Sequence, residues 1–157
     1  MAGAGNGVVS VFDLNGNFLQ RLATGATLNA PWGLAIAPAT FGEFSVALLV
    51  GNNGDGTISA LDPTDGHFLG QLRDSSGNLI TDSGLWALSF GNGGPDFDPN
   101  ALYFTAGING EVDGLFGEIS AQPGVPVPGP IAGAGLPGLI LASGGLLGWW
   151  RRRQRTA

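Results

Sequence analysis

At 157 residues the chain has room for one domain and an appendage, not for two full domains. Gly fills 29 positions and Pro 10, yet 43% of the residues are apolar and the aromatics are spread out, which excludes a disordered polymer and points to many turns. All twelve Asp and Glu lie between Asp13 and Glu118, opposed there only by Arg21 and Arg73, so nucleic acid is excluded as a partner; the absence of Cys removes disulfides, thiolate zinc sites and thiol nucleophiles.

The N-terminus, MAGAGNGVVSVFD, has no basic segment followed by an apolar run and is not a signal peptide; either the chain is not exported or its true start is missing. From there the chain repeats. GVVSVFDLNGNFLQRL (Gly7 to Leu22) aligns with GTISALDPTDGHFLGQL (Gly56 to Leu72), pairing Val9 with Ile58, Phe18 with Phe68 and Leu22 with Leu72. WGLAIA from Trp32 matches WALSFG from Trp86, ALLVGN from Ala47 matches ALYFTA from Ala101, and GTISA at Gly56 is echoed by GEISA at Gly117. The matched runs are short, rich in Val, Ile, Leu, Phe and Thr, and separated by Asn-Gly or Asp-Gly pairs that supply the positive φ angles of tight hairpins.

In chain order the predicted strands are Val8–Asp13 and Phe18–Leu22; then Pro31–Ala37, Val46–Gly51, Thr57–Leu61 and His67–Arg73; then Leu85–Phe90, Leu102–Ala106 and Leu115–Ala121. The middle group, four strands in roughly 50 residues, has the size of one β-propeller blade. The others read as the last two strands of a preceding blade and the first three of the next. The fold class expected is therefore all-β, an incomplete β-propeller of two to three four-stranded antiparallel blades, followed by one C-terminal transmembrane helix. Residues 1–121 would be the C-terminal part of a larger propeller, since so few strands cannot close a ring of typically four to eight blades. A small open meander, or an oligomer that closes the ring, is the alternative. Trp32 and Trp86, equivalent in the repeat, are expected as wedges buried between blades rather than as stacking platforms for a sugar.

Chemistry is sparse. The single His67 excludes a histidine-dependent triad and multi-histidine metal sites; its repeat counterpart is Asn17, which marks a turn-flanking surface position. Asp96, Asp98 and Asn100 alternate as at the start of an EF-hand loop, but Ala101 stands where that motif needs Gly and Gly107 where it needs Glu. They remain the weak metal candidates, with Asp55 as a further oxygen ligand. Glu43, Glu111 and Glu118 are the only Glu, and no Lys is present for a phosphate-cradling P-loop. No catalytic constellation and no cofactor are implied.

Residues 122–130, beginning QPGVPVPGP, read as an extended Pro/Gly-rich spacer. Residues 131–150 are nearly all apolar, and as a helix they would span about 30 Å, a bilayer's hydrocarbon core. Trp149 and Trp150 follow as an aromatic belt, and Arg151, Arg152, Arg153 and Arg155 as a cytoplasmic flank that would put the body on the other side.

Val125, Pro126, Val127 and Pro128, the apolar run and the Arg cluster at 151–155 together resemble the PEP-CTERM sorting signal of Gram-negative bacteria, with Val127 in place of the family's Glu. That resemblance implies processing by an exosortase, a membrane protease-transpeptidase of exopolysaccharide-producing species. The body, with NAPWGLAIAPATFG, LLVGNNGDGTISALDP and GLWALSFGNG, is similar to a family of uncharacterised bacterial β-propeller proteins that carry such tails. It implies fold and location but no activity. The expectation is an exported, membrane-anchored or exosortase-sorted surface protein with a binding or scaffolding role and no enzymatic activity. Its body would sit on the periplasmic side of the inner membrane or at the cell surface, and its partners would be the membrane, an exosortase-like enzyme, and an extracellular polysaccharide or surface protein. The rivals are a propeller hydrolase or lactonase whose site lies on absent blades, and a gene fragment without function.

Overall fold

The computed structural model describes residues 2–25 and 27–121. They belong to one compact unit, Met1–Gly124. The protein is mostly β, in antiparallel sheets. Each of the nine predicted runs forms a strand: β1 Val8–Phe12, β2 Phe18–Thr24, β3 Pro31–Ile36, β4 Leu48–Asn52, β5 Ile58–Leu61, β6 Phe68–Gln71, β7 Leu85–Phe90, β8 Ala101–Gly107 and β9 Asp113–Ser120. They group as expected into meanders of two, four and three strands, in the orders β1-β2, β3-β4-β5-β6 and β7-β8-β9.

Alternation decides which side chains meet, because successive residues of a strand point to opposite faces. Ile58 and Ala60 of β5 join Leu49 of β4 in a core shared with Leu85, Leu88, Leu102 and Phe104 of the third sheet. On the opposite face, Val50 and Leu61 pack with Val9 and Leu22 of the first sheet. The sequence repeat is thus a repeat in packing. Val9 and Leu22 fill the gap ahead of the second sheet just as their counterparts Ile58 and Leu72 fill the gap ahead of the third. Each buried Leu or Ile contributes about 1.5–3 kcal/mol relative to exposure, so the two cores hold the sheets face to face.

Gly33 shows how close that packing is. A Cβ there would lie 2.7 Å from the Trp86 carbonyl oxygen and 2.8 Å from the Leu88 nitrogen, so only Gly lets β3 lie directly against the β7 backbone.

The structure also departs from the expected boundaries. β4 begins at Leu48 because Val46 takes a left-handed φ of 58° after a 3-10 turn at Gly42–Phe44. A hairpin that the dipeptide signals did not disclose follows β6, bridged from Arg73 to Leu79, and its returning arm then bridges from Thr81 to Thr57 ahead of β5. The transmembrane helix expected at 131–150 lies outside the described residues, and no helix among the described residues is long and apolar enough to cross a membrane.

Candidate binding site

Between β8 and β9 the chain turns through α1, a single helical turn at Ile108–Glu111 that is left-handed inside. Asn109 (φ 54°), Gly110 (φ 66°) and Glu111 (φ 68°) all take positive φ. For a residue with a side chain the left-handed conformation costs roughly 1–2 kcal/mol, because Cβ crowds the following carbonyl oxygen. Two features hold the turn against that cost: the Asn109 Nδ2 donates to Asp113 Oδ2 at 2.7 Å, and Ile108 bridges to Asp113.

This strained turn walls an open pocket of about 570 Å³, lined by Trp86, Thr105, Gly107, Glu111, Asp113 and Phe116 among others. The Gly at 107 leaves room for the Trp86 indole, whose Nε1 lies 3.0 Å from where a Cβ would be. Trp86 meets Trp32 edge-on, with ring centroids 4.7 Å apart and planes at 82°. The expectation of wedges buried between sheets is therefore corrected. The two indoles do join neighbouring sheets, but Trp32 keeps 64% of its surface exposed. Beside the pocket, Tyr103 and Phe116 stack at 5.7 Å with Phe97 edge-on to Tyr103. The pocket thus offers aromatic faces together with two carboxylates, the groups that hold a flat polar ring by stacking and by hydrogen bonds to its hydroxyls.

The acidic loops do something other than gather a ligand. Asp98 Oδ1 accepts from the backbone N–H and the side-chain amide of Asn100, at 2.8 and 3.0 Å, while the Asn100 side chain also meets the Thr40 hydroxyl. Asp96 shares no hydrogen bond with either of them, and no group of three potential metal-ligating His, Cys, Asp or Glu occurs among the described residues. Asp13 and Asp74 each close a hairpin turn by accepting from the N–H groups two and four residues on and from the amide of Asn17 or Asn78. Those bonds, the Asn17 and Asn78 side chains first, hold both carboxyls below their ordinary range. The shared pattern Asp-x-x-Gly-Asn at 13–17 and 74–78 is the sequence signal of the hairpin that the Asn-Gly and Asp-Gly search passed over.

His67 is an exposed turn residue whose N–H donates to Asp65. Glu118 lies on β9 and accepts from the Ser120 hydroxyl, and Glu43 is exposed in the 3-10 turn, so of the three Glu only Glu111 lines the pocket. Asp55 belongs to a polar network that sequence reasoning missed. Its carboxylate accepts from Thr57 and from Asn29 Nδ2, and Thr57 in turn accepts from Asn52 and Gln71. Burial pushes the Asp55 carboxyl up, but the bonds from Thr57 and Asn29 outweigh it and leave it below the usual range. Val125, Pro126, Val127 and Pro128, and the run from Trp149 and Trp150 to Arg155, lie outside the described residues.

A mostly β protein of stacked antiparallel meanders, with an aromatic and acidic pocket at one sheet end, is the class that fold and site define. No protein-family model matches the chain. No solved structure matches it either. It is similar to three proteins of Acanthamoeba polyphaga mimivirus, each described as uncharacterized. R648 is 38% identical over 120 residues, 76% of this chain and 28% of that protein. L690 is 35% identical over 116 residues, 73% of this chain and 29% of that protein. R640 is 31% identical over 113 residues, covering 72% and 20%. The chain therefore spans less than a third of the length of each of these relatives. These matches overturn the attribution to a bacterial propeller family with a PEP-CTERM tail: the relatives are viral, no family model matches, and Val127 occupies the place of that motif's Glu.

Proposed function

We propose that this chain is a segment of a larger β-propeller whose role is binding or scaffolding, with the pocket beside Trp86 as its ligand-contacting surface. The observation that carries the reading is the translation of one repeat into consecutive face-to-face sheets, with the first strand of one sheet laid against the first strand of the next, β3 against β7. Such stacking turns about an axis beside the first strands, and a propeller is its closed form. The greater length of the mimivirus relatives supplies chain for further sheets. Trp86, Phe116, Glu111 and Asp113 suit a polysaccharide, since aromatic faces stack on sugar rings while carboxylates accept from hydroxyls.

Two measurements test this. Solution scattering and a structure of the longer R648 should give a ring of four-stranded sheets around a channel; an open, elongated stack would overturn the propeller. Titration calorimetry of this chain against neutral and amino-sugar polysaccharides should give binding that Trp86→Ala weakens by about tenfold or more, the loss of a stacking contact worth about 1–2 kcal/mol. Binding unchanged by Trp86→Ala would refute the pocket as the contact surface.

A further inference from the structure

Leu34 and Ile36 of β3 are 49% and 56% exposed. They pair directly with Val50 and Leu48 of β4, so all four lie on one face of the second sheet. Val50 and Leu48 are covered there by β1 and β2. The same positions one repeat later behave differently. Leu88, the counterpart of Leu34, is only 7% exposed, and Phe90, the counterpart of Ile36, packs edge-on against Phe41 at 5.0 Å. β7 is covered because β3 and β4, the first two strands of the preceding sheet, lie over it. β3 is bare because the sheet that precedes it contributes only β1 and β2, the counterparts of β5 and β6. The edge of β1 tells the same story. β5 pairs with β4 on one side and β6 on the other, whereas β1 pairs with β2 alone among the described strands.

We infer that the free edge of β1 and the exposed Leu34–Ile36 stripe form a single docking site for a two-stranded antiparallel hairpin of the β3–β4 type. The hairpin's second strand pairs with β1 as β4 pairs with β5, a β-strand addition, and both of its strands lay apolar side chains on Leu34 and Ile36. The hairpin belongs to the same polypeptide in a longer form, running into β1 through Gly5-Asn6-Gly7 as β4 runs into β5 through Gly54-Asp55-Gly56. The length of the relatives, of which this chain spans 28%, 29% and 20%, leaves ample chain for it. The inference deepens the propeller reading by one interface. It needs only the repeat, not closure of a ring.

The chain has no Cys, so Ile36→Cys carries one thiol, and its rate of reaction with a small maleimide reports cover at that position. The full chain is compared with the same chain carrying a second copy of residues 31–52 directly ahead of Ala4, and with a Gly/Ser extension of equal length. The expected result is labelling slowed by about tenfold or more with the hairpin copy alone, as for a group that must await local opening. Leu34→Cys should follow, while Ser89→Cys on the exposed face of the third sheet should be unchanged in all three proteins. Equal labelling of Ile36→Cys with and without the copy, or equal slowing by the Gly/Ser extension, overturns the inference. Protection of Ile36→Cys in the unextended chain that grows with concentration, alongside a dimer in sedimentation, overturns the assigned source and gives the site to a second copy. A docked hairpin together with an open stack in R648 would sink the propeller and leave this interface standing.

Discussion

Replacing Asn52 by Ala should cost about 2–4 kcal/mol, although Asn52 does not line the pocket beside Trp86 and carries no charge. Its side chain is 1% exposed at the end of β4. The amide oxygen accepts from the Asn29 N–H at 2.9 Å, and the amide nitrogen donates to the hydroxyls of Thr57 and Ser59, both at 3.1 Å. Those hydroxyls keep other partners in the variant: Ser59 still donates to the Thr27 carbonyl, and Thr57 still bonds Asp55 and Gln71. The Asn29 N–H does not. Leaving one such donor unpaired costs about 1–3 kcal/mol, and the space vacated by the amide adds roughly 1 kcal/mol. Against a total stability of about 5–15 kcal/mol this is a large fraction, equivalent to about 10 °C in Tm for a unit of this size. Urea melts followed by far-UV circular dichroism measure it. Ser59→Ala alone should cost less, and the double variant should fall short of the sum because the two side chains share a bond. A loss below about 0.5 kcal/mol for Asn52→Ala would refute the claim that this network, rather than apolar packing alone, pins residues 27–30 to the second sheet.

Gly33→Ala should destabilise by about 1–3 kcal/mol by forcing β3 off the β7 backbone, and the indole emission of Trp32 and Trp86 should shift with it; Gly25→Ala, at a glycine after β2 with open space around its Cβ, tests strain at positive φ without that clash. Stability should fall in acid. Asp13, Asp62 and Asp74 are held below the ordinary value of 3.8 chiefly by hydrogen bonds from Asn17, Thr64 and Asn78, so their stabilising effect is present above about pH 3.8 and lost as pH falls through the lowered folded values. Asp82 runs the other way. Burial raises its carboxyl above 3.8, so its contribution is complete below that pH and is lost as pH rises through the raised folded value. Asp82→Asn should therefore raise the urea midpoint at neutral pH relative to the parent, and midpoints that fall instead would refute burial as the cause.

The strands, their grouping and the equivalence of the repeats were legible in the chain, because period-2 alternation between Asn-Gly and Asp-Gly turns is a local property that each segment carries alone. Within the candidate site, Trp32 and Trp86 were marked by their recurrence at one repeat position. Glu111 was only one of three Glu, and nothing in its neighbourhood announced that Ile108–Glu111 would wind left-handed and bring it beside Trp86. The hairpin at Asp74–Asn78 was readable from its likeness to Asp13–Asn17, but Ser76-Gly77 stands there in place of Asn15-Gly16, so the Asn-Gly signal is missing. Burial of the Asn52 network was not readable, since Asn29, Asn52, Asp55, Thr57 and Ser59 look like loop polarity until the sheets are stacked. Sequence by itself determined the strands and their hairpin pairing, which depend on residues close along the chain. Only the tertiary structure decided which faces are covered: Leu34 and Leu88 occupy the same place in the same motif, and their exposure differs because one has two strands lying over it and the other does not.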